Sequence, residues 1–254
     1  MKNSSMKAKG RKEENAAAQD KIETAFSRQV QKDKKVRNAY LLVHSEKLGL
    51  DIHMAEGKTG ELEAHPGQAN HLASAGKLFT ATITGMLYDK GLLDFDDTIA
   101  QHLDADLMSG LHVYKGRDYS GDITIKHLLK QTSGLNDVFW PLMKKLMREP
   151  NLDMTVRQAL EWGKSNLKPV TKPGQKHFYT DTNYYLLGLI IEHITKKPFH
   201  EAVHEMIFEP LGMDNAYING YSQPKDKARY APADIYLFNT NFIENKRIAQ
   251  IDYA

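Results

Sequence analysis

The sequence predicts an α+β fold, and three features carry that prediction. Two short β-prone runs flank "SEKLG" between Tyr40 and Met54, helical periodicity takes over from Ser74, and after Tyr230 only enough chain is left for one or two further strands. Strands grouped in one stretch and helices in another describe segregated α+β architecture rather than strand-helix alternation.

Taken in order, residues 1–18 are charged and read as a flexible tail. Residues 19–70 hold a helix and a hairpin. In "DKIETAFSRQV", Ile22, Phe26 and Val30 recur four residues apart, which is one face of a helix. The runs Tyr40 to His44 and Leu50 to Met54 then form an antiparallel pair. Residues 71–230 are mainly helical. Phe79, Ile83, Met86 and Leu87 recur at helical spacing with Gly91 as the stop, and "DITIKHLLKQTSGL", "TVRQALEWGKSNL", "TNYYLLGLIIEHIT" and "PFHEAVHEMIFEPLG" follow between Pro, Gly and Asn punctuation. Residues 231–254 begin a return to strand. A lone hairpin cannot bury its face or satisfy its edges, so its partner strands must come from elsewhere. The expectation is an incomplete sheet, finished by a missing C-terminal segment or a partner chain.

Composition narrows the function. At 41% hydrophobic and 26% charged over 254 residues, the chain can bury a core. A net charge of +2, with its visible excess confined to "MKNSSMKAKGRK", argues against nucleic acid, which calls for a concentrated basic face. That run leads into no apolar segment of signal-peptide type, and no stretch of about 18 apolar residues exists to span a membrane. The expected location is the cytoplasm. With no cysteine, disulfides, thiolate metal sites and a cysteine nucleophile are excluded.

Several patterns compete for the chemistry. Ser-x-x-Lys occurs at Ser4/Lys7, Ser74/Lys77, Ser165/Lys168 and Ser222/Lys225, so the spacing alone decides nothing. Context favours Ser74. It stands among Ala73, Ala75 and Gly76, small neighbours that admit a substrate, at the opening of a strongly periodic helix, where free N–H groups and the dipole favour an oxyanion. One turn on, Lys77 shares its face and could take its proton if burial lowers the amine's pKa. The bland alternative is a capping serine beside a solvated lysine.

"HEAVH" places His200, Glu201 and His204 in a zinc-protease spacing, but Ile207 stands where the extended motif has glycine and "FEPLGMDNAY" offers no third imidazole. Phe199, Val203, Met206 and Ile207 already form an apolar stripe, so the two histidines read as its flank, and no metal is assigned. "GKT" at Gly57 to Thr59 fails as a phosphate loop because Ile52 occupies the earlier glycine position. A Gly-x-Ser-x-Gly elbow is absent, since Leu72 stands two residues before Ser74.

Four segments in order, "LASAGKLFTATITGMLYDKGLLDFDDTIAQHL", "ITIKHLLKQTSGL", "YTDTNYYLLGLIIEHITKKPF" and "IFEPLGM", resemble the serine β-lactamase-like family, which includes class C β-lactamases, D-alanyl-D-alanine carboxypeptidases and related esterases. The resemblance spans roughly residues 36 to 220. It implies a helical domain packed against an antiparallel sheet flanked by helices, with the active site between them. It also implies that Ser74 is the acylated nucleophile, Lys77 its proton acceptor and Tyr179 the tyrosine of the Tyr-x-Asn element. A phenol beside an ammonium can relay that proton. Asp181 stands where the family commonly has asparagine, as a substrate-binding residue that can accept but not donate, and that can pair with Lys77. The alternative for Asp181 is an N-cap of the following helix.

Lys58-Thr59-Gly60 spells the family's third element but precedes Ser74, so it is read as a decoy and half of the oxyanion hole is left unassigned. Val138, Phe139, Trp140, Leu142, Met143, Leu146 and Met147 read either as an acyl pocket or as core. The functional expectation is a serine hydrolase that acts through a seryl acyl-enzyme on a small-molecule ester or amide, without cofactor. An inactive binding or regulatory protein on the same scaffold is the alternative.

Overall fold

The computed structural model describes residues 2–149, 152–225, 232–237 and 246–248. Two compact units divide the chain, one gathering residues up to Leu72 with those from Gln223 onward and the other formed by Ala73–Ser222.

The first unit opens with α1 (Lys2–Lys32). This helix reaches back through the residues that composition assigns to a tail, and "NAAAQ" within it has strong intrinsic helix propensity. Strands β1 (Asn38–Ser45) and β2 (Leu50–Thr59) pair antiparallel, with Val43 opposite Ile52 and Ser45 opposite Leu50 across the turn. On β2, Leu50 and Ile52 are buried while Asp51 and His53 are exposed, the period-two alternation that the sequence shows. The short β3 (Leu62–Glu63) completes a three-stranded sheet in the order β1-β2-β3. Lys58 and Thr59 lie on β2, and the Lys58 ammonium pairs with Glu63.

In the second unit, α2 (Lys77–Asp89) buries Thr80, Ile83, Thr84 and Leu87 and ends just before Gly91. Short α3 (Ala105–Met108), the two-residue strands β4 (Val113–Tyr114) and β5 (Arg117–Asp118), and α4 (Ile125–Leu129) follow. Then come α5 (Phe139–Arg148), α6 (Val156–Asn166), α7 (Thr182–Thr195) and α8 (Phe199–Val203), the last running into a π turn over His204–Phe208. Two helix starts are closed by reciprocal capping boxes, Thr124 with His127 and Thr155 with Gln158. At the centre lies α7, packed by α2, α4, α6 and α8. It buries Tyr185, Leu186, Leu187, Ile190 and Ile191, and each such side chain contributes roughly 1.5–3 kcal/mol.

In and just before α5, Val138, Leu142 and Met143 are buried, which gives them a core role, while Trp140 is exposed. The side chains of Leu146 and Met147 lie outside the described residues. The chain closes with β6 (Ile235–Leu237) and β7 (Lys246–Ile248), an antiparallel pair belonging to the first unit.

Candidate active site

Ser74 sits in a 3-10 turn, Ala73–Gly76, that leads directly into α2 and makes Lys77 that helix's first residue. The turn is entered at a backbone cost. Ala73 has φ of +47°, a left-handed conformation that for a residue with a Cβ costs about 1–2 kcal/mol. Gly76, which caps α2, supplies no side-chain hydrogen bond, so α2 is entered without a polar cap.

Tyr179 and Asp181 arrive 105 and 107 positions later than Ser74, immediately before α7, on a segment fixed by many hydrogen bonds. The Gln131 side-chain oxygen accepts from the Thr180 N–H at 3.0 Å and from the Asn183 amide at 2.6 Å. Asp137 Oδ1 accepts from the Asp181 N–H at 2.9 Å, and the Asn136 carbonyl accepts from the hydroxyls of Thr180 and Thr182. In turn Thr182 Oγ1 accepts from the Val138 N–H, and the Gln131 carbonyl accepts from the Phe178 N–H. This mesh needs a tight turn at Gly134. Its φ is +78°, and a Cβ there would stand 2.2 Å from the Thr171 carbonyl oxygen, so only glycine fits.

These two segments bring four side chains together. The Tyr179 hydroxyl donates to Ser74 Oγ at 2.8 Å, and Lys77 Nζ donates to the same oxygen at 3.3 Å. Lys77 Nζ also stands 2.5 Å from Asp181 Oδ1, with both of those side chains largely buried, whereas Tyr179 is half exposed. The ammonium lies over two aromatic faces, 5.3 Å from the Tyr179 ring centre and 5.6 Å from that of Tyr184.

Burial pulls the Lys77 amine down, but its hydrogen bond to Asp181, then that to Tyr179, more than offset this and hold it above the ordinary lysine value. The lowered amine that would make Lys77 a ready base is therefore not what this arrangement provides: desolvation is present, but the carboxylate outweighs it. Burial raises the Tyr184 phenol, with Lys77 partly opposing the effect. Asp181 occupies the N-cap position of α7, yet its side chain caps nothing and is spent on Lys77.

The rival patterns resolve differently. Ser165 turns its hydroxyl back to the Glu161 carbonyl at 3.0 Å. Ser222 Oγ lies 2.8 Å from His204 Nε2 and accepts from the Ile218 N–H, closing a local turn. His200 stacks on Tyr221, and among the described residues no group of three His, Asp or Glu side chains is placed to hold a metal ion. Ser4 lies outside the described side chains.

Tyr184 and the supporting Gln131, Asn136, Asp137 and Thr180 escaped the sequence reading. The signal for Tyr184 was present, since Asp181 and Tyr184 are three apart at a helix start and share a face. Nothing local marks the others.

Comparison with known proteins bears on the family and the fold. The Beta-lactamase family model matches residues 13–236. The chain is 31% identical over 172 residues to monacolin J acid methylbutanoyltransferase of Aspergillus terreus, covering 63% of this chain and 40% of that protein. It is 28% identical over 194 residues to a penicillin-binding protein of Bacillus subtilis (strain 168), covering 72% and 39%. The chain thus spans about two fifths of the length of these curated relatives. Among solved structures, EstCE1, a hydrolase with promiscuous acyltransferase activity, superposes with a TM-score of 0.69 at 19% identity, covering 91% of this chain and 59% of that one. With the match running through nearly all of the described residues, the chain belongs to the Beta-lactamase family.

Proposed function

We propose that this chain carries the nucleophilic centre of a serine hydrolase that works through a seryl acyl-enzyme, as an esterase or as an amidase or peptidase. The observation that carries the reading is the convergence on Ser74 Oγ of the Lys77 amine and the Tyr179 hydroxyl, which come from segments far apart in the chain. Nucleophile and proton-handling groups within hydrogen-bond reach are the signature of covalent catalysis.

In this reading Ser74 Oγ bonds to the acyl carbon of an ester or amide. Its proton passes to the Lys77–Tyr179 pair and then to the departing oxygen or nitrogen as that bond breaks. Water, giving its proton to the same pair, then attacks the acyl carbon; the Oγ–acyl bond breaks, the pair returns the proton to Ser74 Oγ, and the carboxylic acid leaves. The relatives' names, a penicillin-binding protein and an acyltransferase, together with the EstCE1 hydrolase, support acyl chemistry on small esters or amides as the substrate class. No described helix is long and apolar enough to cross a membrane.

The test is a fluorophosphonate or penicillin-type probe followed by intact-mass and peptide analysis. The expected result is a single adduct on Ser74, reduced at least about a thousandfold in Ser74→Ala. A folded chain that takes up neither probe would instead support a binding or regulatory protein on the same scaffold.

A further inference from the structure

The hydrogen bonds at Ser74 run in an unproductive direction. Its oxygen accepts from both Lys77 and Tyr179, so in this protonation state the Lys77 ammonium has no lone pair for the serine's own proton, and the neutral Tyr179 phenol offers only a weakly basic one. What keeps Lys77 a donor is visible around it. The charged and titratable groups that face it are Asp181, Tyr179 and Tyr184, and each of the three favours a cation. The α8 helix and the π turn after it also pack on α2, where Phe208 meets Phe79 edge-on at 5.5 Å rather than presenting a charge. Asp181 is the strongest of these partners, with its carboxylate oxygen in direct contact with the amine, and Asp137 anchors its backbone.

We propose that Asp181 is a positioning residue that fixes Lys77 as an ammonium, so that Ser74 becomes a nucleophile only after one proton has left the Ser74–Lys77–Tyr179 cluster. This rests on the acyl-enzyme reading and specifies when the centre is active. The departing proton goes to solvent. Ser74's own proton then moves to the vacated position on Lys77 or Tyr179 as the Oγ–acyl bond forms, and from there to the leaving oxygen or nitrogen as its bond to the acyl carbon breaks. An asparagine at 181 keeps the shape but not the charge, and so releases Lys77 at lower pH.

The experiment measures the second-order rate of Ser74 labelling by a fluorophosphonate between pH 6 and 11 in the wild type, Asp181→Asn and Asp181→Ser, alongside a 15N NMR titration of the Lys77 amine. Labelling is expected to rise with pH in the wild type. In both variants the midpoint of that rise and of the Lys77 titration should move down together by about 1–3 pH units, the usual effect of one close opposite charge. Asparagine can also contact substrate through its amide, but such a contact changes the plateau and not the midpoint, and serine lacks it. A Lys77 midpoint that stays in place in both variants overturns the proposal. If the Lys77 midpoint moves and Ser74 is never labelled, charge holding by Asp181 stands and the acyl-enzyme reading falls.

Discussion

The two sides of the candidate site are built on opposite principles. The tyrosine side, Phe178 to Thr182, is knitted to the Gln131–Val138 turn by a mesh of backbone and side-chain hydrogen bonds, although the Gln131 amide nitrogen is buried without a partner among the described residues. The serine side, Ala73 to Lys77, has an uncapped helix start and a left-handed alanine, and its described polar partners are the other members of the site. The first is held by many hydrogen bonds, while the second stores strain next to Ser74, a pattern that fits the proposed nucleophilic role better than a purely structural one. The contrast teaches that hydrogen bonds position the tyrosine side, whereas the serine side is placed by the packing of α2 and linked to the tyrosine side by the contacts of Lys77 and Tyr179.

The most direct way to break this contrast is Gln131→Leu. It removes the acceptor shared by Thr180 and Asn183, leaves two buried donors without partners, and is expected to cost about 2–4 kcal/mol in urea unfolding. A loss below about 0.5 kcal/mol would show that the mesh is not what fixes the tyrosine side.

Acid offers a second, smaller lever. His112 is fully buried, and its ring would touch a Cβ at Gly134; burial pushes its imidazole below the usual histidine value despite nearby backbone groups and Asp118. His127, whose ring would touch a Cβ at Gly174, is depressed for the same first reason. The folded state therefore resists protons that the unfolded chain takes up below about pH 6.5. Stability from His112 is complete above that value and falls by about 1.4 kcal/mol per pH unit as the pH drops from there toward its folded value. Denaturation curves taken between pH 8 and 4.5 should show this slope, and a shallower one in His112→Gln.

The smallest effect is expected on the serine side. Ala73→Gly relieves the left-handed backbone but frees the unfolded chain, so it should raise stability by no more than about 1 kcal/mol. A clear loss would mean that the Ala73 methyl packs in a way that outweighs its strain.

How legible the molecule is from its sequence follows the same division. The hairpin, the α2 face of Ile83 and Leu87 and the existence of α7 were readable because they rest on local pattern and punctuation. Ser74 needed neighbouring small residues and an ordered family resemblance, since three other Ser-x-x-Lys matches compete with it. The Asp181–Lys77 pair was readable as an option, but not the direction in which it moves the amine, because desolvation and the carboxylate oppose each other and only distance decides between them. Gln131 lies in one of the segments that carry the family resemblance, but its supporting role and those of Asn136 and Asp137 were not readable, because their contacts span more than forty residues and depend on where a glycine turn brings a loop. Composition could not tell a tail from a helix near the start of the chain, because charged residues spaced by alanines suit a solvated helix such as α1 as well as a tail.

The close contact between Lys77 and Asp181 also bears on how a substrate would find Ser74. A cation and an anion locked together form a short dipole whose field dies away within a few ångströms, so this cluster offers no long-range pull on either an acid or a base. On the proposed function, whatever long-range steering a substrate feels comes from charges elsewhere, and this pair contributes mainly short-range hydrogen bonding.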